Sequence, residues 1–158
     1  MTTLSLDQLI DKDIMVVNST ARNKQEVLEE LGRLLETKGY LKDVDTFIED
    51  VYLRESEGIT GIGGGVAIPH GKSKGVKQTT VAIAKLAHPI EWETLDEEKV
   101  SVVFLFAVRD VDANTTHILL LQQVAILLAD DSFIRAVQEA KSVDELYQLI
   151  VSHQANIQ

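Results

Sequence analysis

The sequence predicts an α/β fold: a single domain built on a mixed β-sheet, with helices flanking both faces of the sheet. Apolar residues recur at helical spacing in the first and last thirds of the chain, and short β-branched runs lie between them. No polar or proline-rich linker and no repeat of fixed period divides the 158 residues. Because helices and strands that alternate in this way share one layered core, residues 1–158 are predicted to form one domain.

Two amphipathic helices are predicted in the first third of the chain. Asn23, with a glutamate three residues later, resembles a capping box and opens the first helix. Its apolar face consists of Val27, Leu28, Leu31, Leu34 and Leu35. A second helix follows Asp43 and is expected to end before Gly58, with Arg54 in its last turns.

Short apolar runs rich in β-branched residues predict the buried strands. They cover residues 66–69, 79–86 and 100–108. Residues 14–17 are compatible with a further strand, and His88 with Pro89 indicates a turn. A long apolar helix is predicted over residues 117–128, and a capping box at Ser142 opens a C-terminal helix.

The composition narrows the classes of function. Lys and Arg number 15 against 25 Asp and Glu, so the net charge is −10 and nucleic acid or an anionic membrane surface would repel the protein. A basic protein partner fits this charge better. The chain has no Cys, which excludes a disulfide framework and is typical of a reducing compartment. The longest apolar run, residues 102–108, is far shorter than the roughly 20 residues of a spanning helix, and the N-terminus shows no secretory signal, so membrane insertion is not expected.

Seven of the nine glycines lie within residues 58–75. Such a cluster beside a strand can form a pocket of amide groups for an anion, and a tight turn is the alternative. The segment is not a nucleotide-binding loop, because five residues instead of four separate Gly65 from Gly71. The dinucleotide fingerprint also fails, since it requires glycine at Val66.

His70 is the candidate nucleophile. It is predicted to follow a strand directly, with Pro69 before it and Gly71 leaving the approach to the side chain open. A neutral imidazole is a competent nucleophile near pH 7. Most histidines are not catalytic, so a partly buried structural role is the alternative for a histidine taken alone.

Two further residues are candidates for the same site. His117 falls in the first turn of a predicted helix, where the helix dipole keeps an imidazole neutral and attracts anions. Its alternative role is that of a polar residue at a helix start. Arg54 could hold phosphoryl oxygens in a bidentate grip, although its spacing alone favours a surface ion pair with a neighbouring glutamate.

Together these residues resemble the IIA proteins of the phosphoenolpyruvate-dependent sugar phosphotransferase system, fructose/mannitol type. The matching blocks occur in the family's order at residues 54–55, 60–63, 66–73, 90–96, 102–108, 114–117 and 142–146. The Ile-Pro-His-Gly segment at 68–71 is the most specific, and the blocks at 90–96 and 114–117 are most similar to the fructose-specific branch. The chain departs from the family pattern at Gly64, where a polar or acidic residue is more common, and at Arg109, where proline is common.

The resemblance implies a phosphoryl relay in the cytoplasm without cofactor or metal. Phosphorylated HPr would donate to Nε2 of His70, which would donate to a IIB domain, and the sugar would be phosphorylated during transport through a IIC membrane component. His117 would stabilise the phosphoryl group and Arg54 would compensate its charge. Thr60, Gly61 and Gly71 would contribute to the binding of the phosphoryl group. The alternative is a nitrogen-regulatory protein of the same family, which controls its partners through the phosphorylation state of His70.

Overall fold

The computed structural model describes residues 9–112 and 116–157, of which residues 116–117 and 154–157 are described by their backbone alone. The helices are α1 (Lys24–Thr37), α2 (Val44–Glu57), α3 (Thr116–Leu128), α4 (Asp131–Glu139) and α5 (Val143–Ile157). The strands are β1 (Met15–Ser19), β2 (Gly61–Gly63), β3 (Val66–Ala67), β4 (His70–Ser73), β5 (Thr80–Ile90) and β6 (Val100–Arg109). Two 3₁₀ turns, Lys12–Ile14 and Asp110–Asp112, flank β1 and β6.

The six strands form one mixed sheet. Strands β1, β5, β6, β3 and β2 lie side by side in that order, and β4 pairs with β6 next to β3. β1 runs parallel to β5, and both β3 and β4 run parallel to β6, whereas the β5–β6 and β2–β3 pairs are antiparallel. The predicted mixed sheet is confirmed, while the extent of the domain, residues 1–158, stays a prediction.

The sheet has one hydrophobic core on each face, because side chains alternate along its two central strands. Val81 and Ile83 of β5 pack with α3, α4 and α5, whereas Ala82 and Ala84 face α1 and α2. The first core includes Phe104, Phe106, Leu120, Phe133, Val137, Leu146 and Ile150. The second core includes Leu28, Leu31, Leu35, Phe47, Val51, Val103 and Leu105. Helices therefore cover both faces, as predicted from the alternation of elements.

The predicted helix starts are confirmed by their caps. The Asn23 side chain accepts from the Glu26 amide at 2.9 Å, and Asp43 caps α2. Helix α4, which was not predicted, is capped by Asp130. Within residues 9–112 and 116–157, no helix has the length and apolar character needed to cross a membrane.

Two predictions at prolines, one of a strand and one of a turn, are wrong. The strand expected over residues 66–69 is interrupted at Pro69, which has no N–H for the ladder. Its carbonyl accepts from the Phe106 amide at 2.9 Å, and pairing resumes in β4. His70 is therefore the first residue of a strand and does not follow one. The turn expected at His88 and Pro89 is part of β5, since β1 pairs with β5 only as far as Leu86 and leaves that stretch as an edge.

Candidate active site

His70 lies at the start of β4, and its side chain is largely enclosed. Only 6% of the residue's surface is exposed, so the prediction of an openly accessible imidazole is wrong. The ring packs edge-on against Phe106, with the ring centroids 6.4 Å apart. The parallel pairing of His70 with Phe106 explains this enclosure, because β6 is a buried central strand.

Arg54 reaches His70 from the last turn of α2. Its Nε donates a hydrogen bond to Nε2 of His70 at 3.1 Å, and its Nη1 contacts the Gly58 carbonyl at 3.4 Å. Arg54 therefore lies at the imidazole, as the family resemblance implies. The ion pair with a neighbouring glutamate that spacing favours is not formed among the described contacts, because Glu55 pairs with Lys24 instead.

Gly71 explains why α2 comes so close to β4. A Cβ atom at Gly71 would lie 2.8 Å from Cγ2 of Val51 and 2.9 Å from Cε1 of Phe47. Both residues belong to the buried face of α2, and Arg54 lies one turn beyond Val51 on that face. The missing side chain at position 71 thus lets the helix bring the guanidinium to the imidazole.

The hydrogen bonds of His70 assign its tautomer. Nδ1 lies 3.1 Å from the Ile68 carbonyl, which can only accept, so Nδ1 carries the proton. Nε2 then carries the lone pair, which accepts from Nε of Arg54. The ring is a neutral imidazole with its nucleophilic nitrogen directed at a cation.

Burial lowers the pKa of His70 because the charged imidazolium loses its hydration. The hydrogen bond to the Ile68 carbonyl opposes this shift, and the charges of Arg54 and Lys72 lower the pKa further. Glu55 acts in the opposite direction but does not reverse the shift. The site therefore favours the neutral ring at neutral pH.

Thr60 and Gly61 lie beside this site, where they connect β2 to the segment around Trp92. The Thr60 hydroxyl donates to Oε1 of Glu55 at 2.9 Å and accepts from Nε1 of Trp92 at 3.0 Å. A Cβ at Gly61 would lie 2.7 Å from the Glu93 carbonyl, so this glycine permits close packing of two chain segments. The described contacts thus give both residues a packing role.

Three further glycines of the cluster form the end of β2 and the turn that leads to β3. Gly63, Gly64 and Gly65 have φ of 97°, 67° and 83°, a left-handed conformation that side chains disfavour. The Gly64 amide donates to Oδ2 of Asp96 at 3.0 Å. The turn predicted as one alternative is therefore present, and one of its amides binds a carboxylate of the same chain.

A charged network centred on the buried Glu55 carboxylate adjoins Arg54, and no role was predicted for it from the sequence, although Glu55 lies in the matched block at residues 54–55. Glu55 is only 6% exposed and Lys24 only 20%, and Nζ of Lys24 lies 2.5 Å from Oε1 of Glu55. Lys24 also contacts Glu93 at 3.1 Å and lies 4.8 Å from the centroid of the Trp92 ring. Burial opposes the charge of Lys24, but the hydrogen bonds to both glutamates outweigh it and raise the pKa of Lys24.

His117 is the second residue of α3, so its predicted place in the first turn of a helix is confirmed. Its side chain lies outside the described residues, and its role stays a prediction. No group of three or more His, Asp or Glu side chains positioned to hold a metal ion occurs in the described part of the chain.

Fold and site together define an α/β domain that holds one neutral, enclosed histidine against a cation. Residues 8–153 match the family described as the phosphoenolpyruvate-dependent sugar phosphotransferase system, EIIA 2. The chain belongs to this family, and the resemblance deduced from its motifs is confirmed. Proteins of this family are components of a phosphotransferase system.

The relatives include sugar-specific and regulatory proteins. The chain is 37% identical over 90% of its length to the 2-O-alpha-mannosyl-D-glycerate-specific EIIABC component of Escherichia coli and 30% identical over 95% to the fructose-specific EIIABC component of Bacillus subtilis. It spans only 22% and 24% of these two proteins. A nitrogen regulatory protein of Pseudomonas aeruginosa is 30% identical, with 96% of this chain and 97% of that protein covered.

The solved structures agree with this fold. Nitrogen regulatory protein IIA-Ntr from Neisseria meningitidis superposes with a TM-score of 0.83 at 29% identity, covering 91% of this chain and 97% of that chain. IIA mannitol from Escherichia coli superposes with a TM-score of 0.76 at 24% identity, covering 89% of this chain and 98% of that chain.

Proposed function

We propose that this chain is a phosphoryl carrier of the sugar phosphotransferase system. It accepts a phosphoryl group from phosphorylated HPr on Nε2 of His70 and passes it to a IIB domain. A IIC membrane component then takes up fructose or a similar sugar, which is phosphorylated in the process. The carrier acts in the cytoplasm and has a phosphohistidine intermediate.

The observation that supports this proposal most directly is the pair of hydrogen bonds on the His70 ring. The Nδ1–H bond to Ile68 leaves the lone pair on Nε2, and Arg54 lies 3.1 Å from that nitrogen. A nucleophile and a cation are thus held at one point. Phosphoryl transfer asks mainly for positioning and for stabilisation of charge on the phosphoryl oxygens, so this pair suits the reaction.

The transfer of the phosphoryl group from HPr to His70 needs no other reactant. The Nε2 lone pair of His70 forms the new phosphorus–nitrogen bond while the bond to the donor imidazole breaks, and that electron pair returns to the donor nitrogen. Nδ1 keeps its proton and its bond to the Ile68 carbonyl. In the second transfer a nucleophile of the IIB domain forms a bond to phosphorus while the phosphorus–nitrogen bond breaks, and that electron pair returns to Nε2 of His70.

The other site residues take supporting roles in this proposal. On phosphorylation Arg54 donates to the phosphoryl oxygens instead of to Nε2 of His70, and it compensates their charge. His117 stabilises the same group from the start of α3. Thr60, Gly61 and Gly71 shape the site, Gly71 by admitting α2 and the other two by packing β2 beside it.

The surface around Arg54 suits protein partners. Leu53 and Ile59 are 61% and 52% exposed, in sequence on either side of Arg54. Exposed apolar side chains beside a reactive group are typical of a protein–protein contact. The net charge of −10 would steer basic docking faces of HPr and IIB towards this domain.

A second candidate is a nitrogen-regulatory protein that controls its partners through the phosphorylation state of His70. The observation that favours it is the match over nearly the whole length of nitrogen regulatory proteins, with a TM-score of 0.83 to one solved structure. The 37% identity to a sugar-specific component and the fructose-like block around Trp92 favour sugar transport.

Intact-mass spectrometry at alkaline pH tests the shared step. The protein is incubated with phosphoenolpyruvate, enzyme I and HPr, and wild type is compared with His70→Ala. One acid-labile phosphoryl adduct on wild type alone supports the carrier. No adduct on wild type, with HPr shown to be phosphorylated, overturns it.

Onward transfer separates the two candidates. The phosphorylated protein is mixed with a fructose-type IIB domain, and the loss of its adduct is followed together with the gain on IIB. Rapid transfer supports sugar transport. A phosphorylated protein that holds its adduct in the presence of IIB supports the regulatory candidate.

A further inference from the structure

Glu55 is a buried carboxylate that the proposed reaction does not yet use. Its side chain is 6% exposed, and its Oε1 receives the Thr60 hydroxyl at 2.9 Å and Lys24 Nζ at 2.5 Å. Its Oε2 is buried and has no hydrogen-bond partner in the part of the chain that the structure describes. A bare carboxylate oxygen in the protein interior is costly, so this arrangement requires a compensating role or a strong structural reason.

A chain of hydrogen bonds leads from Glu55 to the His70 ring. Glu55 holds the Thr60 hydroxyl, and the Thr60 carbonyl accepts from the Ile68 amide at 2.9 Å. The Ile68 carbonyl in turn accepts from Nδ1 of His70 at 3.1 Å. Glu55 is thus connected to the bond that assigns the His70 tautomer.

The direction of each bond along this path is determined by the donors. The Trp92 indole can only donate, so the Thr60 hydroxyl accepts from it and directs its own proton to Glu55. If the side chain at position 55 had no acceptor, the proton of the Thr60 hydroxyl would be left without a partner in a buried site. The path therefore depends on an acceptor at position 55.

Glu55 also affects the ring through its charge. Among the described residues, the charged groups that affect the pKa of His70 are Arg54 and Glu55 from α2 and Lys72 from β4, and of these three Glu55 raises it. Lys24 of α1 and, through it, Glu93 face Glu55 from the other side. Glu55 thereby offsets part of the effect of burial and of the two cations on the imidazole.

We propose that Glu55 is a positioning residue for His70. Through Thr60 and Ile68 it holds the imidazole with the proton on Nδ1 and the lone pair on Nε2. The effect on the ring is a property of the resting protein. Only its consequence for phosphoryl transfer rests on the proposed function.

The test compares Glu55→Ala with Glu55→Gln in the full chain, using ¹⁵N NMR of the His70 ring. Wild type is expected to show the Nδ1–H tautomer. Glu55→Ala is expected to populate both tautomers, whereas Glu55→Gln, which keeps an acceptor for Thr60, restores the Nδ1–H form. Both variants lose the carboxylate charge, so the titration of His70 shifts to lower pH in each.

The phosphoryl acceptance rate from phosphorylated HPr is measured on the same samples. Glu55→Ala is expected to be about tenfold slower than wild type, because a misplaced ring attacks poorly. The matched control is Glu57→Ala, which removes an exposed carboxylate from the same helical turn and is expected to leave the tautomer, the titration and the rate unchanged.

An unchanged His70 tautomer in Glu55→Ala would overturn the positioning role, even if the titration of His70 shifted or the variant were less stable. If Glu55→Ala does not fold, Thr60→Val interrupts the same path and is expected to populate both tautomers. An unaltered tautomer in Thr60→Val likewise overturns the proposal. Failure of the proposed function would give a different result. Wild type would then accept no phosphoryl group, while the His70 tautomer would still change in Glu55→Ala.

Discussion

Arg54 and His70 are sixteen positions apart in the chain, yet Nε of Arg54 donates to Nε2 of His70 across 3.1 Å. The guanidinium therefore covers the lone pair that would attack a phosphoryl group. It has to leave Nε2 before a phosphorus–nitrogen bond can form there, and the phosphoryl oxygens offer it a better acceptor. The resting contact thus keeps the cation beside the position where negative charge would develop in the proposed transfer.

Replacing Arg54 with Gln is expected to slow phosphoryl acceptance about 100-fold, because one charge-stabilising donor is lost at the transferring group. The measurement is the time course of the phosphoryl adduct by mass spectrometry. Arg22→Gln is the matched control, since the Arg22 side chain is 85% exposed and pairs only with Glu26 among the described ion pairs. An Arg54→Gln rate within threefold of wild type would show that the cation is not needed.

The approach of α2 to His70 predicts that Gly71→Ala is damaging. The new methyl group would lie within 3 Å of Val51 and Phe47, so α2 has to shift and carry Arg54 with it. We expect a loss of about 1–3 kcal/mol in the free energy of unfolding, together with slower phosphoryl acceptance.

Urea denaturation measures the stability of this variant. Gly58→Ala is the control, since its Cβ would lie 3.7 Å from Arg54 Nη1 in extended backbone, and a change below about 0.5 kcal/mol is expected. Equal stability of Gly71→Ala and wild type would contradict the close packing of α2 on β4.

The local signals in the sequence predicted much of this fold. Asn23 and Asp43 cap their helices through amides two or three residues away, so each start is contained in a short stretch of sequence. The interruption at Pro69 has a local cause, its missing N–H. The new strand that begins at His70 has a non-local cause, because its partner β6 lies more than 30 residues further on. The short helix α4 was missed although Asp130 gives it a local cap.

The sequence motifs predicted which residues form the site, but they did not predict the contacts between those residues. His70 and Arg54 were candidates from the local sequence, and the family resemblance then gave each of them its role. Helical spacing alone favoured an ion pair for Arg54. Arg54 contacts His70 instead of a neighbouring glutamate, and this contact depends on Gly71 and on how closely α2 packs on β4. Glu55 lay in the matched block at residues 54–55 but was given no role, and Lys24 was not named, because their ion pair joins two helices and no local pattern marks it.

The depressed pKa of His70 predicts how pH affects stability. Burial is the main cause, so the folded protein favours the neutral ring below the ordinary pKa of 6.5. As pH falls, His70 of the unfolded chain takes up its proton at a higher pH than His70 of the folded protein. The stability that the neutral folded ring contributes is therefore lost as pH falls through the folded pKa. Above 6.5 it is fully present.

The check is the difference in free energy of unfolding between wild type and His70→Gln at about pH 7.5 and about pH 5. Carboxylates titrate in both proteins and cancel in this difference. Wild type is expected to lose stability relative to His70→Gln at the lower pH. A difference that stays constant, or that grows in favour of wild type, would mean that the ring is not held neutral by the fold.

The buried pair of Lys24 and Glu55 predicts a large effect of removing one partner. Lys24→Met leaves the Glu55 carboxylate with the Thr60 hydroxyl but without its cation, and breaking a buried pair in this way costs about 3 kcal/mol. Lys12→Met is the matched control, because its pair with Asp144 has exposed side chains and is expected to contribute nothing measurable. Denaturant unfolding compares the two variants.

The double variant Lys24→Met with Glu55→Gln separates the cost of an unpaired charge from the cost of losing the contact between the Lys24 ammonium and the Trp92 ring. If the unpaired carboxylate causes the instability, neutralising it recovers a large part of the loss, and the double variant is more stable than Lys24→Met alone. If the ammonium over the Trp92 ring is what stabilises the fold, the double variant is no more stable than the single one. That second outcome would mean that Lys24 acts through the Trp92 ring, and that Glu55 tolerates burial without its cation.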